Sequence, residues 1–322
     1  MDDFLDYKNV QALNYKFQEN TRENILTIFE LHTDFKEFIK NLDFHKIVFS
    51  PDIICLYHES LINKKNNLNT DDIIWTSKLD NSIIIEALNP EKYLADKYIA
   101  TNPVMHGENM GFVLANSMKT DKSTNQLNQA IDLLKAYPAA CVNHHLLSSI
   151  AIFDGSGMIP DSLSTIFAQR KIFIRHVEEE KPLFYHIDML IHEISHQYCN
   201  LILNLYCIIS DYNQTFFSVA HKKHRPIYGI FQTIFVLYRL ITVYPIVADI
   251  LHKHGEKDSN TNYRELLYTR FFKLPCNFSL RLKIYLMKFE ICYQQLITSN
   301  ATTDLGKETL RSMRALVKQI RE

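Results

Sequence analysis

One segment constrains this chain more than any other. It is an apolar run from Pro182 to Leu203 broken by the pentapeptide His192-Glu193-Ile194-Ser195-His196. Its apolar residues, among them Leu183, Ile187, Leu190, Ile191, Ile194, Tyr198 and Leu201, recur at helical spacing, which continues to Leu205 just beyond it. A helix puts residues four apart on one face, one turn apart. Two imidazoles so placed can close on one metal ion, and the glutamate after the first lies near the same ion. A polar trio inside an apolar helix needs partners, and a metal supplies them. The segment therefore predicts a long helix with a metal pair at His192 and His196 and a candidate catalytic carboxylate at Glu193.

Composition narrows the classes around that helix. Of 322 residues, 47% are apolar, enough to bury a substantial core. Lys+Arg total 35 against Asp+Glu 36, which argues against a nucleic-acid partner. The cysteines at 55, 141, 199, 207, 276 and 292 form no CxxC pair, so they read as reduced thiols in a cytoplasmic protein. The first residues, Met1-Asp2-Asp3-Phe4-Leu5-Asp6-Tyr7, are acidic and lack the basic and apolar regions of a secretory signal. The most apolar stretch, 227–251, carries Gln232, Arg239, Pro245 and Asp249, which favours a buried helix over a membrane span. Only seven glycines occur, and no GxGxxG or P-loop pattern supports a nucleotide fold.

Along the chain, residues 5–41 read as two helices and 63–72 as a polar loop. Ile73–Thr76 and Ile83–Glu86 are short strand candidates, 100–125 reads irregular, and Gln126–Tyr137 reads as a helix stopped by Pro138. Ser148–Asp154 and Lys171–His176 are further strands, the first followed by a turn at Gly155–Gly157. Pro182 and the acidic residues before it favour a start for the motif helix there, running to about Ile209. After a loop, 227–253, 261–272, 278–298 and 304–321 read helical. The expectation is one α+β domain over 1–322, mostly α-helical, with a small sheet ahead of the HExxH helix. An N-terminal helical and strand part (1–147) precedes a metal-site core (148–255) and C-terminal helices (256–322).

A zinc peptidase needs a third protein ligand. The extended pattern HExxHxxGxxH fails, because Cys199 stands at the glycine position and Ile202 at the third histidine. No Glu occurs between Glu193 and Glu256, and the carboxylates in that span are Asp211 and Asp249. Asp211 reads as a solvated turn residue near Asn213. His144, His145 and His176 precede the motif and read as structural imidazoles. A zinc enzyme using Glu193 as general base in peptide maturation stays open as the alternative.

Downstream, His221-Lys222-Lys223-His224-Arg225-Pro226-Ile227-Tyr228-Gly229-Ile230-Phe231-Gln232 leads into an apolar helix. HExxH followed by Arg-Pro-x-x-Gly-x-x-Gln resembles the HExxH-type iron(II)- and 2-oxoglutarate-dependent peptide β-hydroxylases of ribosomal-peptide (RiPP) biosynthesis. The matching residues are His192, Glu193, His196, Arg225, Pro226, Gly229 and Gln232, and the match covers about residues 183–240. The resemblance implies a non-haem dioxygenase with iron(II) and 2-oxoglutarate as cofactors (zinc in the alternative). Its substrate is a precursor peptide, hydroxylated at a side-chain β-carbon; no nucleic acid and no membrane is expected as partner. Iron(II) sites of this type use two His and one further ligand. Gln232 is the candidate third ligand, with His221 and His224 as alternatives. A 2-oxo acid's distal carboxylate suits a bidentate arginine, Arg225 first and Arg239 second.

Overall fold

The computed structural model describes residues 9–29, 33–44, 46–63, 76–78, 83–101, 104–105, 108–109, 111–136, 146–156, 161–176, 183–218, 223–253 and 278–321. In chain order the elements begin α1 (Val10–Ile28), α2 (Thr33–Lys40), β1 (Ile47–Phe49), α3 (Pro51–Asn63), β2 (Thr76–Lys78), β3 (Ile84–Ala87) and α4 (Leu94–Thr101). They continue with β4 (Val104–Met105), β5 (Glu108–Asn109), β6 (Gly111–Leu114), α5 (Ser117–Ala136), β7 (Ser149–Ser156), β8 (Ser162–Ser164) and β9 (Lys171–Arg175). Last come α6 (Leu183–Leu205), β10 (Thr215–Ser218), β11 (Lys223–Pro226), α7 (Ile227–Lys253), α8 (Phe278–Ile297) and α9 (Asp304–Arg321). The architecture is α+β and mostly helical, and its mixed sheet precedes the motif helix α6 in the chain.

The residues cluster in two compact units. One comprises Lys8–Asn125 and Asn143–Glu178; the other comprises Met1–Tyr7, Gln126–Val142 and Glu179–Glu322. The first is built on β7. Parallel β9 lies on one side of it, with β8 antiparallel beyond. On the other side β7 pairs first with parallel β3 and then with antiparallel β6. Ile150, Ala151, Ile152 and Phe153 are all buried, as are Ile172, Phe173 and Ile174 of β9, so both faces of these strands are covered. Cys55 of α3, Ala95 and Ile99 of α4, and Ala151, Phe153 and Phe173 of the sheet share one apolar cluster. At its rim the buried Lys171 ion-pairs with the buried Asp96 of α4 at 2.7 Å.

The second unit is a helical assembly with α7 at its centre, packed against α6, α8 and α9. Among the described residues one helical window, Ile227–Asp249, is long and apolar enough to cross a membrane, yet 72% of it is buried inside the fold. Its apolarity is that of a core helix, apolar around most of its circumference because three helices cover it. α7 runs back along α6: Phe184 meets Tyr244, Tyr198 meets Phe235, and Asn200 bonds Gln232.

Five local features differ from the sequence expectation, the first being that 100–125, read as irregular, contains β4, β5 and β6. α5 begins at Ser117 rather than Gln126, because Lys119 pairs with Asp154 (2.5 Å) and Ser123 with His176 (2.8 Å) of the strands beside it. Gly155 belongs to β7 and pairs with Phe112 instead of turning. α6 stops at Leu205, and Ile209 instead forms a bridge with Thr302. The connector between α6 and α7 folds as the β10–β11 hairpin. The helix expected at 261–272 and the strand residues 73–75 lie outside the described residues, as do His144, His145, His221 and Lys222.

Candidate metal centre

α6 presents its two motif histidines on one half-buried face. The Nε2 atoms of His192 and His196 are 3.2 Å apart, with ring centroids at 4.9 Å. Two nitrogens each about 2.1 Å from one ion, at angles between octahedral and tetrahedral, lie roughly 3.0–3.4 Å apart. The observed 3.2 Å separation falls within that span, as a pair able to share one divalent ion requires. Among the described residues no third His, Cys, Asp or Glu completes a cluster around them.

The surrounding residues of α6 divide by face. Ile187, Leu190, Ile191, Ile194 and Leu201 are buried apolar anchors. Ser195 turns its hydroxyl back to the Ile191 carbonyl at 2.6 Å, which satisfies it within the helix. Glu193 is 2% exposed, deeper than the histidines on either side of it.

The histidine face continues in both directions at the same four-residue interval. One turn before His192 stands Asp188, bonded by Arg281 Nη2 of α8 at 2.8 Å and approached by the Tyr285 hydroxyl at 3.5 Å. Burial alone would lower the Arg281 pKa. Asp188, Tyr285 and Tyr244 outweigh it and raise the value above the ordinary arginine range. One turn after His196 stands Asn200, whose Oδ1 accepts from Gln232 Nε2 of α7 at 2.8 Å. Asp188, His192, His196 and Asn200 thus form a polar stripe on an apolar helix, fastened to α8 at one end and α7 at the other. Sequence reasoning singled out the two histidines and missed the flanking pair. The signal was the regular interval of polar residues through the run.

The hairpin places Arg225. Its cross-strand partner is Phe216, and the following Pro226 closes the strand before α7 begins at Ile227. Arg225 is 7% exposed, and burial draws its pKa below the usual range, with Tyr228 opposing. Its guanidinium lies over Gly229, where an added Cβ would sit 3.3 Å from Cζ, Nε and Nη2. Arg239 is buried farther along α7, with its guanidinium 5.8 Å from the ring centre of Tyr198 on α6. Gln232 is half-buried between these arginines and faces α6 through Asn200.

The remaining candidates sit apart from this face. Asp211 is exposed and accepts from the Asn213 amide at 2.9 Å, a local turn. Asp249 is exposed and pairs with Lys253 at 2.6 Å. His224 is exposed on the hairpin, edge-on to Phe217. His176 belongs to the other unit and contacts Ser123 at 2.8 Å. The described cysteines Cys55, Cys199, Cys207 and Cys292 form no disulfide. No protein-family model matches the chain, and no curated protein is significantly similar to it.

Proposed function

We propose that this protein is a cytoplasmic, iron(II)- and 2-oxoglutarate-dependent hydroxylase acting on a side-chain β-carbon of a ribosomally made peptide. The observation that carries the reading is the 3.2 Å approach of His192 Nε2 to His196 Nε2 on a half-buried helix face. His192 and His196 would hold the ion, with the Gln232 carbonyl oxygen as the third protein donor. A bound iron(II) ion supplies oxidising chemistry in which one oxygen atom of O2 enters the peptide and the other enters succinate, with loss of CO2. Arg225 would bind the distal carboxylate of 2-oxoglutarate. A guanidinium desolvated by burial gains most from an anion it can grip through two parallel N–H bonds. The stacked Gly229 backbone fixes the plane of that fork. Arg239, held over Tyr198, stiffens the α6–α7 contact that sets the distance between the histidines and Gln232. Glu193, buried beside His192, would orient the site from inside.

The test is anaerobic reconstitution with iron(II), followed by oxygen, 2-oxoglutarate and short peptides encoded beside the gene. The expected result is succinate and a peptide heavier by one oxygen atom. Zinc-dependent backbone cleavage with no succinate would replace this reading with a peptidase. A protein that takes up neither metal would end both.

A further inference from the structure

Asn200 is an expensive residue for its position. It is a weak helix former in the middle of an apolar helix, and it is 1% exposed. Its Nδ2 finds no acceptor among the described residues, a defect that costs about 1–3 kcal/mol in a buried amide. A leucine there would pack against α7 without that cost. What the asparagine does supply is one acceptor, Oδ1, at 2.8 Å from Gln232 Nε2.

We infer that Asn200 is the positioning residue of the metal pair, holding the Gln232 amide by its nitrogen so that the carbonyl oxygen faces the ion. This inference rests on the metal reading above. A primary amide has two ends of similar size and opposite use. Its nitrogen lone pair is delocalised and does not bind a divalent cation, whereas its oxygen does. Fixing the nitrogen end therefore fixes which atom the metal meets. Asn200 lies one helical turn, about 6 Å of rise, beyond His196 on the same face. α7 runs antiparallel from Gln232 toward the level of the histidines, as the Tyr198–Phe235 and Phe184–Tyr244 contacts require. The polar stripe then has a division of labour. His192 and His196 bind, Asn200 orients, and Gln232 completes the donor set.

Cobalt(II) added to the full chain is the probe, read by its visible absorption bands and by titration. Wild type is expected to bind one ion and His192→Ala none. Gln232→Glu puts a carboxylate where the amide oxygen stood and should tighten binding at least about tenfold. Asn200→Ala should weaken it about ten- to a hundredfold and shift the absorption bands. Asn200→Asp, which accepts the same N–H, should keep affinity within about threefold. A purely structural Asn200 would give a lower melting temperature in Asn200→Ala with unchanged cobalt affinity and spectrum, and that result overturns the inference. So does a Gln232→Glu protein with wild-type affinity, which decides the matter even if Asn200→Ala fails to fold. A wild-type chain that binds no cobalt is a different failure, since it removes the metal reading itself.

Discussion

The guanidinium of Arg225 occupies the space that a side chain at position 229 would need. Gly229 lies in the first turn of a 27-residue helix, where glycine is otherwise a poor choice. Its absent Cβ lets a buried arginine lie flat on the helix backbone, four residues beyond the arginine's own position. The Arg-Pro-x-x-Gly pattern is thus a packing unit: strand end, helix start and the clearance for one planar cation.

Gly229→Ala should separate stability from binding. Alanine gains up to about 1 kcal/mol in helix propensity, and Arg225 needs to move only a few tenths of an ångström. The fold is expected to stay within about 1 kcal/mol of wild type by urea denaturation. Affinity for 2-oxoglutarate in the anaerobic iron(II) protein should fall several-fold, because the fork is displaced. Unchanged affinity would remove Arg225 from the co-substrate site.

Metal held at His192 and His196 should stabilise the second unit. Cobalt(II) at a hundred times its dissociation constant adds about 2.7 kcal/mol to unfolding, visible as a rise in melting temperature. His192→Ala and His196→Ala should each abolish the rise while retaining helical circular dichroism. A full thermal shift in either variant would place the ion elsewhere.

Helices that carry their own pattern were legible in the sequence, and contacts between distant residues were not. α7 spans 227–253 and α9 spans 304–321 as periodicity indicates, because burial on one helix is written in consecutive residues. The first turns of α5, Ser117–Asn125, are almost wholly polar and show no period; strand residues Asp154 and His176 hold them. β10 and β11 are four residues each, and the second contains Lys223, His224, Arg225 and Pro226, so neither resembles a strand alone. Their identity comes from pairing with each other. At the candidate site, the four-residue interval gave His192 and His196, while Asn200–Gln232 joins residues 32 apart and leaves no local trace.

His58 should set the acid limb of stability in the sheet-containing unit. It lies on α3, 7% exposed and edge-on to Phe167, and burial lowers its pKa from 6.5 to about 4. A depressed folded value means the unfolded chain takes the proton first. The stabilisation is therefore complete above pH 6.5 and is lost as pH falls toward 4, by up to about 3 kcal/mol. Asp52 and Asp96, both raised by burial, act in the opposite sense, their contribution being greatest in acid. His58→Leu should flatten the loss between pH 6.5 and 4, measured by urea midpoints across pH. A variant with the wild-type acid slope would show that His58 is not its source.

Asp188 and Arg281 should be far more costly to break than to replace. Both are largely buried, and Tyr285 bridges them by accepting from Arg281 Nε at 3.1 Å. Asp188→Leu leaves a cation in the core and should cost about 3–5 kcal/mol. Adding Arg281→Met removes that charge, and the double variant is expected to recover most of the loss. Equal destabilisation of the single and double variants by urea denaturation would mean that packing, not charge, governs this end of the stripe.

Gly306 is the point where α9 is pressed against the segment leaving α6. A Cβ there would lie 2.4 Å from the Ile208 carbonyl oxygen and 2.8 Å from Thr302 Cγ2. The contact cannot relax by rotating a side chain, because Ile208 O also accepts from the Thr303 amide and Ile209 bridges to Thr302. Gly306→Ala should therefore lose more to the clash than its gain in helix propensity, for a net destabilisation of about 1–3 kcal/mol. That is the reverse of Gly229→Ala, where the neighbour is the far end of an arginine. Urea midpoints of the two variants side by side decide it: a Gly306→Ala midpoint at or above wild type would show that the α9 clasp yields, and that the connector to the hairpin is not fixed by it.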